Sequence, residues 1–213
     1  MFLRKTGAAL GAALLTSAIA ATGASAAGVT QVSCSNGVVT ISGAASTTNV
    51  IGVEDAGAGK YKITDVGSGA TVGYTVGGCL TGVSDYTSTH GTITVSGTIT
   101  SVTVNGNDLS DVINTDGLAG KAAIYGGSGA DILIGGGGND TINGGSGDDS
   151  IDGGYGNDTI TGLSGADDID AGYGDDSIYE ADGYADTIDG GPGNDWAYID
   201  TEASVINVET LTF

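Results

Sequence analysis

The chain reads as an all-β protein whose second half is a flattened parallel β-coil, and three observations carry that reading. Glycine fills 41 of the 213 positions against a single proline, roughly three times its usual share, which favours turns over helices. No apolar pattern of period 3.6 survives beyond one turn after residue 26, so helix is not expected there. Between residues 106 and 198 a nine-residue frame recurs, and a fixed period is the mark of stacked repeat architectures.

Residues 1–26, MFLRKTGAALGAALLTSAIAATGASA, combine a basic start (Arg4, Lys5), an apolar run from Ala8 to Ala21 and the small-residue site Ala24-Ser25-Ala26. This is the pattern of a secretory signal peptide. Its apolar run of about 14 residues falls short of the roughly 20 a bilayer span requires, so no membrane span is expected. Export would place the mature chain, from Ala27, outside the cell or at its surface. Removal of Arg4 and Lys5 takes the formal charge from −21 to −23. Outside the cytoplasm the two cysteines, Cys34 and Cys79, are expected to form a disulfide; the alternative is two buried thiols.

Residues 27–104 predict a small β-rich module. Strands are expected over 29–33, 38–42, 50–53, 61–65, 72–76, 93–96 and 99–104, with Asn36-Gly37 as a hairpin turn between the first two. This stretch holds only four acids (Glu54, Asp55, Asp65, Asp85) and two lysines. Residues 105–213 hold 22 acids and the single base Lys121. Five bases in the whole chain exclude a nucleic-acid binder. One histidine and no HExxH exclude a two-imidazole zinc site.

In register, the repeats run GGSGADILI (126–134), GGGGNDTIN (135–143), GGSGDDSID (144–152), GGYGNDTIT (153–161), GLSGADDID (162–170), AGYGDDSIY (171–179), EADGYADTID (180–189) and GGPGNDWAY (190–198). Two looser units precede them: GNDLSDVIN (106–114), which keeps Asp111 and Ile113, and GLAGKAAIY (117–125), with Ala122 in the aspartate position. Glycines at positions one to four suit a tight turn. Position six is Asp131, Asp140, Asp149, Asp158, Asp167, Asp176, Asp186 and Asp195; position eight is an inward aliphatic in all units but the last, where it is Ala197. A short strand and a turn per unit, with two units per full turn of the coil, would stack units 18 residues apart.

Such a stack is not self-sufficient. One buried aliphatic per unit supplies ~2 to 3 kcal/mol, against backbone ordering of ~1 kcal/mol or more per residue. Carboxylates piled at a strand spacing of about 4.8 Å repel one another. A hard divalent cation reverses that sign, because calcium takes six to eight oxygens, carboxylate and carbonyl alike. The expected same-side pairs are Asp131/Asp149, Asp149/Asp167, Asp167/Asp186, Asp140/Asp158, Asp158/Asp176 and Asp176/Asp195, about six inter-turn calcium sites.

These units resemble GGxGxDxUx, the nonapeptide of RTX or hemolysin-type calcium-binding repeats, in a small secreted bacterial type of protein. The resemblance implies a parallel β-roll (a right-handed β-solenoid) over 105–200, with Ca2+ held between turns by turn carbonyls and by the eight aspartates named above. Residues 201–213 are expected to cap the coil over Trp196 and Tyr198, and the first half to pack near Ile132 and Ile134. Tyr155 and Tyr173, 18 residues apart, should stack on one side. No catalytic residue is expected: GxSxG and GxxxxGK[ST] are absent, and His90 lies in a Ser/Thr/Gly stretch. The functional expectation is a secreted, calcium-dependent structural, adhesive or surface-interaction protein, its cell-surface, glycan or protein partner left open. The alternative is a secreted hydrolase with its site in 27–104.

Overall fold

The computed structural model describes residues 29–35, 38–43, 48–57, 60–65, 71–75, 91–96, 100–201 and 203–213. Among them there are strands and no helix. The early strands are β1 (Val29–Ser35), β2 (Val38–Ser42), β3 (Val50–Gly57), β4 (Lys60–Asp65), β5 (Thr71–Thr75), β6 (Gly91–Ser96), β7 (Ser101–Asp108) and β8 (Val112–Gly117). Then come β9 (Ala122–Ser128), β10 (Ile132–Gly136), β11 (Thr141–Ser146), β12 (Ser150–Gly154), β13 (Thr159–Ser164), β14 (Asp168–Asp170) and β15 (Ser177–Glu180). The last are β16 (Thr187–Asp189), β17 (Trp196–Ile199), β18 (Ser204–Ile206) and β19 (Thr210–Thr212).

From β7 onward the chain alternates between two sheets; β7 and β8 pair in parallel with β2 and β3, and from β9 each strand pairs in parallel with the one two places earlier. The result is a parallel β-solenoid of about six turns. Register follows the repeat: Ile142 faces Ile160, and Ile151 faces Ile169, at the expected 18-residue step. The ten-residue unit at 180–189 shifts this step to 19, pairing Asp168 with Thr187 and Ser177 with Trp196. The extra residue is absorbed in the turn before β16, and both sheets stay in register across it.

Position eight forms two inward columns. Ile113, Leu133, Ile151, Ile169 and Ile188 line one sheet; Ile124, Ile142, Ile160, Ile178 and Ala197 line the other, all buried. Beyond the first repeats the same columns continue, with Ile51 on Ile113 and Ile41 on Val104. The change in charge at 104/105 therefore falls inside β7, which pairs β2 on one side and β9 on the other. Strands β1 and β2 pair antiparallel with Ser35 opposite Val38, while Asn36 and Gly37 between them lie outside the described residues. Among the described strands, antiparallel pairing is confined to this end, at β1/β2, β3/β4 and β4/β6.

At the other end, residues 204–212 add a last rung. Strand β18 lies on β16 and β19 on β17, with Trp196 opposite Thr210 and Tyr198 opposite Thr212. The Trp196 indole N–H donates to Thr212 Oγ1 at 3.2 Å. Ile132 lies between Val112 and Ser150 in neighbouring strands and remains exposed. Tyr155 and Tyr173 stack as the repeat requires, ring centroids 5.0 Å apart and planes within 12°. The leader-like segment 1–26, the Cys34 side chain, Cys79 and His90 lie outside the described residues.

Candidate metal centre

Every position-six aspartate sits one residue ahead of a strand, and its side chain turns inward. All eight are buried, with no more than 3% of their surface exposed. They form two ladders, one along each sheet. In the first, the Asp131 N–H donates to Asp149 Oδ1 (2.8 Å), Asp149 to Asp167 (2.8 Å) and Asp167 to Asp186 (2.9 Å). In the second, Asp140 donates to Asp158 (2.7 Å), Asp158 to Asp176 (2.7 Å) and Asp176 to Asp195 (2.8 Å). All six same-side pairs read from the repeat are thus brought together, each through a main-chain donor and the next carboxylate.

That bond uses one oxygen of each carboxylate. The other, Oδ2, is buried without a hydrogen-bond partner in Asp131, Asp149, Asp158, Asp167, Asp176, Asp186 and Asp195. Buried polar atoms are normally satisfied, and an orphaned anionic oxygen is costly. The turn glycines shape the space around it. A Cβ on Gly126 would run into both Asp131 Oδ2 and the Gly144 carbonyl oxygen; one on Gly144 would meet Asp149 Oδ2 and the Gly162 carbonyl in the same way. Position-one glycine therefore leaves a carboxylate oxygen and a carbonyl oxygen from the next coil facing a common point. These are hard oxygen donors of the kind a calcium ion collects. The turns also need positive φ, as at Gly127 (117°) and Gly145 (116°); Leu163 adopts φ 74° in the equivalent place, at a cost of roughly 1 to 2 kcal/mol for an L-residue.

Burial sets the electrostatics. Desolvation pushes Asp149 and Asp158 up to about 7, from an ordinary 3.8, and Asp167 and Asp176 up to about 6. The main-chain donor pulls each back, and neighbouring carboxylates add to the rise. Asp131, Asp140, Asp186 and Asp195 are raised as well, desolvation again the largest cause. Metal-free, each ladder carboxylate therefore holds its proton to higher pH than a free one does.

Asp140 differs from the rest. Its Oδ1 accepts the Ala122 N–H (2.7 Å) and its Oδ2 the Gly136 N–H (2.8 Å), and Lys121 opposes the rise of its pKa. The aspartate missing at Ala122 is thus compensated by protein donors. Four further residues join the ladders. Asp111, buried, accepts from Asn49 N–H, donates to Asp131 Oδ1 (2.7 Å) and has an orphaned Oδ2; burial pushes it to about 6. Its place in GNDLSDVIN marked it in sequence, though at a 20-residue spacing from Asp131. Asn49 occupies the rung before it, donating through Nδ2 to Asp111 Oδ1 (2.9 Å) and the Gly106 carbonyl (3.1 Å); nothing in the frame pointed to it. At the far end Glu209 Oε2 accepts the Asp195 N–H (2.7 Å). Glu180, in a position-one glycine's place, is buried, with Oε2 on the Gly162 N–H (2.7 Å) and Oε1 orphaned.

A parallel β-solenoid with a buried, unsatisfied carboxylate oxygen in seven of its eight regular units is of the class whose turns can hold metal ions between them. Residues 116–151, 125–160, 152–179 and 180–198 match the RTX calcium-binding nonapeptide repeat family, in four copies. The stretch 116–198 is thus similar to RTX calcium-binding repeats, and calcium is the ion such repeats imply. No curated protein and no solved structure matches the chain. Among the described residues no helix is long and apolar enough to cross a membrane.

Proposed function

We propose that this is a secreted, non-enzymatic protein whose aspartate-rich half folds into the coil on binding calcium and serves a structural, adhesive or surface-interaction role. Calcium is held through Oδ2 of Asp131, Asp149, Asp158, Asp167, Asp176, Asp186 and Asp195 together with turn carbonyls. Asp140, whose oxygens already carry two N–H donors, is the poorest ligand of the eight, and Asp111 extends its ladder by one rung. The observation that carries the reading is the row of buried carboxylate oxygens with no partner, in a region whose only base is Lys121. Protein cations cannot neutralise that row; a solvent cation can.

Secretion rests on the composition of residues 1–26. The surface role rests on the shape of the coil and on exposed rings such as the Tyr155–Tyr173 stack, which a glycan or protein partner could contact. The apolar rungs up to residue 104 act as a base on which the calcium-bound turns pile. Circular dichroism of the chain from Ala27, at pH 7.5 in chelator and then in millimolar calcium, tests the proposal. The expected result is coil converting cooperatively to β-sheet; a full β spectrum in chelator overturns it.

A further inference from the structure

The column of position-one residues runs Gly106, Gly126, Gly144, Gly162 and then Glu180. In each of the first four, a Cβ would collide with Oδ2 of the aspartate five residues on, so the column is reserved for glycine by the carboxylate beside it. Glu180 breaks the rule at the one regular unit that carries an inserted residue. It is no surface substitution: the residue is 1% exposed, and burial pushes its carboxyl to about 8, Asp186 adding to the rise.

Its Oε1, Asp167 Oδ2 and Asp186 Oδ2 are all buried and all without a hydrogen-bond partner. One carboxylate oxygen from each of the three residues lies within 4.8 Å of those of the other two. Among the described residues no other three acidic, histidine or cysteine side chains converge in this way. Beside Gly106, Gly126 and Gly144 the orphaned oxygens of Asp111, Asp131 and Asp149 lie near carbonyl oxygens of the next turn, which carry no formal charge. Here three formal negative charges meet, and no basic residue follows Lys121 in the chain to offset them.

We propose that Asp167, Glu180 and Asp186 form a separate cation site, a three-carboxylate corner that takes calcium at lower concentration than the remaining turns do. The inference rests on the calcium reading of the ladders and adds to two of their aspartates a third ligand, Glu180, that the repeat pattern does not supply. Affinity for a hard cation rises with the number of charged ligands, because each added carboxylate strengthens the attraction at short range in a low-dielectric setting. Higher ionic charge should be favoured further, so a trivalent lanthanide is the natural probe.

Titration of the full chain with calcium, and separately with terbium, followed by calorimetry, tests the assignment in the wild type, Glu180→Gln and Glu180→Gly. Glu180→Gln keeps the shape and removes the charge. Glu180→Gly restores the glycine of the column and so keeps the coil foldable. The expected result is one tight binding event in the wild type that weakens about tenfold or more in both variants, with the weaker class unchanged and the terbium effect larger than the calcium effect. Identical isotherms in wild type and variants overturn the site while leaving the calcium-bound ladders intact. A wild type that binds no calcium at all overturns both.

Discussion

The rungs before residue 105 and those after it share one pair of sheets but are held together differently. Strand β2 buries Val39 and Ile41, β3 buries Ile51 and Val53, and β7 buries Val102 and Val104. In the repeats, β11, β12 and β14 each bury one isoleucine, Ile142, Ile151 and Ile169. Two aliphatics per strand supply about twice the apolar burial, and the rung before Asp111 places an amide, Asn49, where the later ones place a carboxylate. Asn49 Nδ2 donates to the Gly106 carbonyl and to Asp111, filling with N–H groups the position that in the next rungs is left to unpaired oxygens. The same coil can be cemented by side-chain donors or by ions, and the difference lies in which partner satisfies the inward oxygen.

The largest effect that would break this comparison is the response of the metal-free repeats to pH. Folded, Asp149 and Asp158 release their protons near pH 7, and Asp111, Asp167 and Asp176 near 6. Unfolded, they would do so near the ordinary 3.8. Between about pH 4 and 7 the folded coil therefore holds more protons than the unfolded chain, so its stability falls as pH rises through that window. In chelator the repeats should show more β-sheet at pH 5 than at pH 7.5, with calcium removing the difference. The β-sheet signal of the early rungs, poor in acids, should change little. A metal-free signal that grows with pH would contradict this account.

A smaller effect sharpens the comparison at the junction itself. Asn49→Asp replaces the amide donors with a second carboxylate beside Asp111. Without metal the loss of two buried hydrogen bonds should cost about 1 to 3 kcal/mol, read from urea unfolding in chelator. With calcium most of that loss should return, because the new carboxylate converts the junction into another ion-holding rung. A variant equally destabilised with and without calcium would mean that the rung cannot be converted and that the two modes of cementing are not interchangeable.

The nine-residue frame made the coil, the register and the eight inward aspartates legible, because a residue type fixed in phase with a glycine turn has only one face to occupy. The ladder's ends were only partly legible: Asp111 was marked by its loose unit, whereas Asn49 and Glu209 were not. Asp111 stands in a unit with a single glycine and a 20-residue step to Asp131, and Asn49 stands in a stretch of the sequence without the glycine frame. Glu180 sits where the insertion blurs the count, so its inward orientation emerged only from the pairing of β15 with β13 and its bond to Gly162. The change in charge at 104/105 marks a change in how the rungs are held together, and it lies within a strand because sheet pairing follows backbone register and is indifferent to side-chain charge.

The smallest predicted effect isolates a contribution inside the repeats that owes nothing to metal. Tyr155 and Tyr173 lie outside the coil, more than half exposed, and stack across adjacent turns. The turns themselves are tied by main-chain bonds from Tyr155 N–H to the Gly136 carbonyl and from Tyr173 N–H to the Gly154 carbonyl, each 2.8 Å. Because those bonds remain, Tyr173→Ala should cost only about 0.5 to 1 kcal/mol, the worth of one aromatic pair. The loss should be the same at saturating and at limiting calcium, since the rings share no oxygen with the ladders. Measured by thermal unfolding at several calcium concentrations, a constant offset supports that separation. An offset that widens as calcium is withdrawn would show the rings bracing the turn carbonyls, and would place part of the cation affinity on the outside of the coil.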